Sequence, residues 1–205
     1  RVLYGHSIRA GGGTVNVRYS NTRPAFQVDQ SKTLPAKFYT DPEIFRQELE
    51  SIHFDMWLHA GRTEQLPQAG SYFLVKFANV NVIVLRDVEG KIRAFHNSCR
   101  HRGTQLCKED HGRIAGKIRC PYHAWSYDLD GRLVGAPNME KVEGFDTKDY
   151  PLNKVHAEVW DGHVYINLSQ NPIPFSEHLA GMDKKFAPWG MADLKLVDRK
   201  VYHLK

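Results

Sequence analysis

The chain has 205 residues, of which 41% are hydrophobic and 25% charged, so it is long enough to bury a core and is typical of a globular protein rather than a disordered or fibrous one. Its formal net charge of +5 comes from scattered basic residues rather than one long basic run, which argues against nucleic-acid binding and favours an acidic protein partner. The sequence has no apolar run of about 18 residues and no apolar signal segment near its start, so we expect neither a membrane span nor secretion.

The cysteine content indicates in which cellular compartment the protein works. The chain contains three cysteines, an odd number that makes a disulfide framework a poor explanation. Reduced cysteines that bind a metal are typical of proteins in the cytoplasm. We therefore expect a cytoplasmic, bacterial-type protein whose cysteines serve as metal ligands.

The first third of the chain predicts an arm followed by a helix. Residues 1–38 combine a run of three glycines with scattered prolines, which predicts an extended arm. The helical segment predicted for residues 39–65 starts with Asp41 as its N-cap and Pro42 in the first helical position. Apolar residues at helical spacing predict that this helix buries one stripe, which consists of Phe45, Leu49, Ile52 and Met56.

The middle of the chain, residues 66–172, is predicted to be a β-rich domain. Apolar alternation and turn signals predict strands at 71–77, 80–86, 91–97, 124–129, 132–135, 155–160 and 163–168, and a short strand that ends at Cys120 after an irregular segment at 98–116. Asp130-Gly131 and Asp161-Gly162 predict hairpin turns. Short strands at this spacing favour a small antiparallel barrel or sandwich.

Residues 173–205 change character again. Two prolines, Pro172 and Pro174, precede a helical pattern at 176–186. The last stretch, residues 194–204, predicts a strand. No internal repeat or low-complexity tract is present in the sequence, so the chain is interpreted as one β-rich domain with flanking segments.

Two short loops each offer one cysteine and one histidine. The first reads Cys99-Arg100-His101 and the second Cys120-Pro121-Tyr122-His123. In a Rieske [2Fe–2S] cluster two thiolates hold one iron and two imidazoles hold the other, so two mixed loops that approach from opposite sides can clamp such a cluster. A Cys2His2 zinc site is the alternative, but zinc sites of that composition usually pair like with like, whereas each loop here is mixed.

Residues 94–103, 120–123 and 125–131 carry a resemblance to a known family. Together they resemble the N-terminal half of the Rieske non-haem iron oxygenases, which are the α subunits of ring-hydroxylating dioxygenases and their monooxygenase and demethylase relatives. Ala124 departs from the pattern, since many members have glycine there. The resemblance implies a mostly β fold with flanking helices: an antiparallel Rieske [2Fe–2S] domain at 66–172 and the truncated start of an α+β catalytic domain at 173–205.

The resemblance also implies the residues of the site. The four metal ligands and cofactor-binding residues that it implies are Cys99, His101, Cys120 and His123. The electron would exit through His123. The family's second site, a mononuclear Fe(II) bound by two histidines and one carboxylate, has no matching pattern among the 11 histidines, so we expect it only in a missing catalytic domain and expect no catalytic residue in this chain.

Two further positions narrow the subtype. Respiratory Rieske proteins join their loops by a disulfide at the positions held here by Thr104 and Tyr122, so the resemblance is to the lower-potential oxygenase or ferredoxin kind. Cys107 is interpreted as a free thiol near the first loop. It adds a weak similarity to the quaternary-amine demethylating branch of the family.

The function implied by the resemblance is the electron-entry part of a terminal oxygenase, an oxidoreductase of the dioxygenase or monooxygenase type. The full-length protein would use O2 and electrons from a ferredoxin or flavin reductase to hydroxylate a small organic substrate. An aromatic ring is the first expectation, as in aromatic hydrocarbon catabolism, and a quaternary amine that is demethylated is the second. The full-length protein is expected to form a homotrimer or an α3β3 assembly. Two alternatives stay open: a stand-alone Rieske electron carrier and a structural zinc-binding module.

Overall fold

The structure is a computed structural model that describes residues 4–10, 13–19 and 33–203. The chain divides into two compact units, residues 1–45 and 46–205. Within the described ranges, no helix has both the length and the apolar character that crossing a membrane requires.

The first unit contains a hairpin where an extended arm was predicted. Strands β1 (Tyr4–Ala10) and β2 (Gly13–Tyr19) pair antiparallel, with Tyr4 opposite Tyr19. The expectation of an arm is therefore wrong for these residues, because β-branched and aromatic residues flank a glycine-rich connection that suits a hairpin. Residues 20–32 of the expected arm lie outside the described residues. A short helix, α1 (Lys37–Thr40), follows.

The predicted start of the next helix is confirmed. Helix α2 spans Pro42–Glu48, and a π-helical turn at Leu49–His53 continues it. The backbone N–H of Glu43 donates a hydrogen bond of 2.9 Å to Oδ1 of Asp41, as expected of an aspartate at a helix N-terminus.

The buried stripe predicted for this helix is wrong. Phe45, Ile52 and Met56 are 54%, 43% and 42% exposed. Helical spacing of apolar residues reveals an apolar face, but it does not provide the surface that covers that face.

The second unit is built from two antiparallel sheets. Its strands are β3 (Leu58–Arg62), β4 (Ser71–Phe77), β5 (Val80–Arg86), β6 (Ile92–His96), β7 (His111–Arg113), β8 (Ile118–Arg119), β9 (Ser126–Tyr127), β10 (Leu133–Gly135), β11 (Lys154–Trp160) and β12 (His163–Asn167). Seven strands form the large sheet in the order β3-β12-β11-β6-β5-β4-β7, and three form the small sheet in the order β10-β9-β8. The mostly β, antiparallel architecture expected from the sequence is confirmed.

Two strands of the large sheet were not predicted. Strand β3 lies inside the segment predicted to be helical, and β7 lies inside the segment predicted to be irregular. Each is an edge strand of the large sheet, β3 beside β12 and β7 beside β4. A short edge strand depends on its neighbour for its backbone hydrogen bonds, so its own residues give a weak signal.

The inner strand β5 lies between the two clusters of the hydrophobic core. Because successive side chains of a strand point to opposite faces, Val82 and Val84 pack into one core cluster while Ile83 and Leu85 pack into the other. All four side chains are fully buried. The second of these clusters also contains Cys99 and Cys120, so the large sheet forms the floor of the candidate site.

The chain after β12 is only partly as predicted. Helices α3 (Phe175–His178) and α4 (Met182–Phe186) replace the single helix expected at 176–186, and Gly181 separates them with φ of +81°. Left-handed backbone ends an α-helix, and glycine adopts it without penalty. The strand expected at 194–204 is wrong for the described residues up to 203, which have no regular structure.

Candidate metal centre

The two loops predicted to bind a metal have the same backbone geometry. In each, the cysteine N–H donates to the carbonyl five residues later, and the cysteine carbonyl accepts from the N–H four residues later. The four bonds are Cys99 N–Thr104 O (2.8 Å), Gly103 N–Cys99 O (2.9 Å), Cys120 N–Trp125 O (2.8 Å) and Ala124 N–Cys120 O (3.1 Å). The loops are therefore two copies of one tight turn, each of which presents a cysteine at its start.

This turn requires a left-handed backbone at its fourth position after the cysteine. Gly103 has φ of +69° in the first loop, and Ala124 has φ of +59° in the second. Glycine adopts this region freely, whereas a Cβ makes it cost about 1–2 kcal/mol. The alanine, which the sequence alone marked as a small departure, is therefore a strained residue.

The structure brings all four predicted ligands together at the same end of the second unit. Cys99 and Cys120 are each 3% exposed and belong to one core cluster. The rings of His101 and His123 are half-buried, and their centroids lie 4.8 Å apart. The site thus combines two buried sulfurs with two neighbouring imidazoles.

The hydrogen bonding of the two imidazoles tests whether the site fits a metal. Nδ1 of His101 and Nδ1 of His123 are buried, and neither has a hydrogen-bond partner in the part of the chain that the structure describes. A buried nitrogen without a partner costs free energy unless it binds something else. Thiolate sulfur and imidazole nitrogen are the donors that hold a Rieske cluster, so the four side chains fit such a group.

Among residues 4–10, 13–19 and 33–203, no three His, Cys, Asp or Glu side chains converge closely enough to bind one metal ion. In a two-iron cluster, each iron needs only two protein ligands.

Tyr127 contacts the first cysteine. Its Oη lies 3.3 Å from Sγ of Cys99 and accepts a hydrogen bond of 3.1 Å from the backbone N–H of Arg100. Burial and the neighbouring Cys99 raise the pKa of the Tyr127 hydroxyl far above its ordinary value. The hydroxyl therefore keeps its proton and can donate it to Sγ of Cys99 when that sulfur is a thiolate.

Burial also controls the ionisation of two predicted ligands. It raises the pKa of the Cys99 thiol, although the hydrogen bond from Tyr127 acts in the opposite direction. A buried thiol becomes a thiolate ligand when a metal supplies positive charge. Burial lowers the pKa of His101, and His123 and Arg102 lower it further, which keeps that imidazole neutral and able to bind a metal.

Aromatic side chains cover both histidines. Trp125 is stacked on His101 with 4.9 Å between ring centroids and an interplanar angle of 10°. Tyr122 is stacked on His123 at 3.7 Å and 27°. Trp125 is 2% exposed, whereas Tyr122 is 60% exposed, so His101 packs against a buried ring and His123 against an exposed one.

Asn97 supports the first loop, and reasoning from the sequence missed it. Its buried side chain accepts hydrogen bonds from the N–H groups of Leu106 and Cys107 and donates to the Cys107 carbonyl and to Asn81. It thereby holds both ends of the first loop together. The available signal was an amide residue at the end of a strand, two positions before the cysteine.

Cys107, the third cysteine, lies in the same core cluster as Cys99 and Cys120. It is buried, 7% exposed, and burial raises the pKa of its thiol to about 11. A thiol with that pKa is protonated at neutral pH and is a poor nucleophile. None of the three cysteines forms a disulfide with the described residues, and the interpretation of Cys107 as a free thiol stays a prediction.

Comparison with known proteins identifies the domain. The Rieske [2Fe-2S] domain family matches residues 56–151. The glycine betaine monooxygenase oxygenase subunit of Pseudomonas aeruginosa is 38% identical over 168 residues, which cover 82% of this chain and 39% of that protein. The carnitine monooxygenase oxygenase subunit of Escherichia coli is 36% identical over 169 residues, which cover 82% of this chain and 45% of that protein.

Solved structures agree with these relatives. The quaternary ammonium Rieske monooxygenase CntA matches with a TM-score of 0.76 and 33% identity over 81% of this chain and 49% of its own. Naphthalene 1,2-dioxygenase from Rhodococcus sp. matches with a TM-score of 0.70 and 30% identity over 78% of this chain and 37% of its own. The chain spans about two fifths of the length of the curated relatives it matches. It belongs to the Rieske oxygenases, and residues 56–151 are its Rieske [2Fe–2S] domain.

Proposed function

We propose that this chain is the electron-entry part of a terminal oxygenase and that it holds one [2Fe–2S] cluster. The proposed ligands are Cys99, His101, Cys120 and His123. The observation that carries the proposal is the pair of buried Nδ1 atoms without partners beside two buried sulfurs. When bound, a Rieske cluster accepts and releases one electron at a time.

The residues around the proposed ligands have distinct roles. Sγ of Cys99 and Cys120 would hold one iron, and Nδ1 of His101 and His123 would hold the other. The Tyr127 hydroxyl donates to Sγ of Cys99, which stabilises negative charge on that sulfur. Trp125 excludes water from the His101 ring.

His123 is the proposed side for electron exit. Its ring is covered by Tyr122, which is itself 60% exposed, whereas His101 lies against the buried Trp125. An electron acceptor would therefore approach His123 more closely than His101. A structure of a quaternary ammonium Rieske monooxygenase that resembles this chain gives insights into inter-subunit electron transfer, which supports an acceptor on a neighbouring subunit here. The homotrimer or α3β3 assembly of the full-length protein stays a prediction.

The activity of the whole protein is proposed from its relatives. Their similarity supports an O2-dependent oxygenase with a mononuclear Fe(II) held outside this chain and a ferredoxin or flavin reductase as electron donor. The curated relatives named above act on glycine betaine and carnitine, which favours a quaternary amine as the substrate. The aromatic substrate, our first expectation from the sequence, stays a prediction that the naphthalene dioxygenase likeness supports more weakly.

Spectroscopy of the purified chain tests the cluster. We expect a coloured protein with about two irons and two sulfides per chain, and an EPR signal after reduction that shows coupling to two imidazole nitrogens. Replacing His101 or His123 by alanine should abolish the signal. The matched control His111→Ala, an exposed histidine outside both loops, should leave it unchanged. A colourless protein with one zinc would instead support the zinc-binding module.

The full reading frame separates an oxygenase from a stand-alone carrier. An in-frame continuation with two histidines and one carboxylate in the mononuclear-iron pattern would support the oxygenase. A reading frame without them would support the carrier.

A further inference from the structure

Two grooves meet beside the small sheet. One, of about 670 Å³, lies along β8, β9 and β10, and the other, of about 410 Å³, lies between β8 and the first loop. Lys117 and Arg119 line both grooves, so they form the shared rim. The two grooves are therefore parts of one surface, which we call the β8 groove.

The β8 groove is strongly cationic. Its four basic lining residues are Lys108, Arg113, Lys117 and Arg119, and all four are exposed. Glu140 is the one acidic residue that lines it. No carboxylate pairs with any of the four basic side chains among the residues that the structure describes. Unpaired cations that share a concave surface attract an anionic partner more strongly than the same charges scattered over a flat one.

The floor of the groove reaches the cysteine side of the site. Ile118, which is 2% exposed, follows Lys117 and forms β8 with Arg119, and Arg119 directly precedes Cys120. Pro121, on the other side of Cys120, also lines the groove. Neither His101 nor His123 lines it. The site therefore has two approaches, one over the cysteine backbone and one over the histidine rings.

We propose that the β8 groove is the docking surface for the electron donor, a small acidic redox protein whose carboxylates surround its own redox centre. This inference rests on the proposed function. The donor's centre loses one electron and the cluster gains one, and no covalent bond forms or breaks. Docking on the cysteine side leaves the His123 side free for the acceptor, so donor and acceptor occupy different surfaces of one chain.

Charge reversal tests the proposal in the cluster-loaded chain. The variant Lys117→Glu/Arg119→Glu is mixed with a reduced plant-type [2Fe–2S] ferredoxin, an acidic one-electron donor of lower potential than a Rieske centre, and reduction is followed by stopped-flow absorbance. We expect the second-order rate constant to fall about tenfold or more at low ionic strength. The difference from wild type should shrink to less than about twofold near 0.5 M salt, where the charges are screened.

Matched controls separate docking from damage to the site. Reduction by photoreduced deazaflavin, a small uncharged donor, should proceed at the wild-type rate in the groove variant. Lys184→Glu/Lys185→Glu on α4 changes the net charge equally and should reduce normally with ferredoxin. If the groove variant fails to fold, Lys117→Gln/Arg119→Gln replaces it, with a smaller expected loss of rate.

Two results would overturn the proposal while the cluster stays intact. One is a groove variant that ferredoxin reduces as fast as wild type. The other is a selective loss of rate in Arg100→Glu/Arg102→Glu, which reverses the same charge beside His101 and would place the donor on the histidine side. A wild-type chain that shows no Rieske spectrum would overturn the proposed function itself, and this inference with it.

Discussion

At the scale of single residues, Tyr127 controls the charge on a proposed ligand. Its hydroxyl lies 3.3 Å from Sγ of Cys99 and keeps its proton. A hydrogen bond to a cluster sulfur stabilises the reduced form, because that form carries one more negative charge. A net hydrogen-bond contribution of about 1 kcal/mol corresponds to roughly 40 mV for one electron.

Removing that hydroxyl should therefore lower the reduction potential. We expect Tyr127→Phe to lower the potential by roughly 40 mV, measured by voltammetry or a redox titration. The control is Tyr150→Phe, which removes a hydroxyl from a ring that packs against Trp125 at 5.7 Å, and its potential should stay at the wild-type value. An unchanged potential in Tyr127→Phe would show that the hydroxyl does not donate to the sulfur.

Ala124 is the strained residue of the second loop. Its φ of +59° costs about 1–2 kcal/mol for a residue with a Cβ, whereas the extra freedom of glycine in the unfolded chain costs about 0.4–1 kcal/mol. The balance predicts that Ala124→Gly raises the free energy of unfolding by up to about 1.5 kcal/mol. Anaerobic urea unfolding measures it. Ala115→Gly, at a position without positive φ, should be neutral or destabilising, and the same outcome for Ala124→Gly would contradict the assignment of strain.

At the scale of elements, one turn occurs twice. In the sequences Asp87-Val88-Glu89-Gly90-Lys91 and Asp128-Leu129-Asp130-Gly131-Arg132, the aspartate accepts hydrogen bonds from the N–H groups two and four residues later. Each aspartate also pairs with an arginine at 2.8 Å. The glycines have φ of +83° and +86°. The two turns differ mainly in burial, since the side chain of Asp87 is 0% exposed and that of Asp128 is 22% exposed.

Because Asp87 is the more buried of the two, it should contribute more than Asp128 to the free energy of unfolding. We expect Asp87→Ala to lower the free energy of unfolding by about 3 kcal/mol, since it removes the buried carboxylate that accepts from Arg93 and from two part-buried N–H groups. Asp128→Ala, which removes the same set of bonds from a more solvated turn, should cost about 1 kcal/mol. Equal losses, measured by urea unfolding near neutral pH, would show that burial does not set the difference.

The effect of Asp87 should also depend on pH. Burial raises the pKa of Asp87, but Arg93 and the N–H groups of Lys91 and Glu89 outweigh it, so the net pKa lies below its ordinary value of 3.8. A folded-state pKa below that of the unfolded state stabilises the fold above pH 3.8, and the stabilisation disappears as the pH falls through the lowered pKa. The stability difference between wild type and Asp87→Asn should therefore shrink as unfolding is measured at successively lower pH below about 4. A constant difference would contradict the ion pair's contribution.

At the scale of the whole molecule, Gly131 lies where the small sheet packs against the large one. A Cβ at Gly131 would lie 2.4 Å from the ring of Phe95 in β6, whereas a Cβ at Gly90 would meet nothing within 4 Å. The backbone N–H of Leu152 donates to the Gly131 carbonyl over 2.8 Å. The same turn is thus free in one copy and packed against the large sheet in the other.

Comparing alanine substitutions at Gly90 and Gly131 isolates the free-energy cost of disturbing the contact between the sheets. Gly90→Ala should cost about 1–2 kcal/mol for the left-handed backbone alone. Gly131→Ala should cost about 1–3 kcal/mol more, because Phe95 must also move, and it should reduce cluster content by shifting β9 and the second loop. Thermal unfolding and iron content measure the two effects. Equal melting temperatures for the two variants would show that the sheets do not meet tightly at Gly131.

The sequence by itself determined the four proposed ligands, the family and the central strands, because each depends on local chemistry. The mixed cysteine and histidine loops are read directly as residue types at a spacing. Strands β4 and β5 lie at the predicted positions, since their alternating or continuous apolar runs reflect burial on one or both faces. Gly131 marked a hairpin turn through its preference for positive φ.

Only the tertiary structure decided the features that need a distant partner. The edge strands β3 and β7 depend on β12 and β4 for pairing, and the residues predicted to form a C-terminal strand form no strand among the described residues. The contact of Tyr127 with Cys99 spans 28 residues, and the grouping of basic residues in the β8 groove brings Lys108 beside Arg119. Hydrogen bonds and charges of this kind act through space, so their spacing along the chain carries no signal of them.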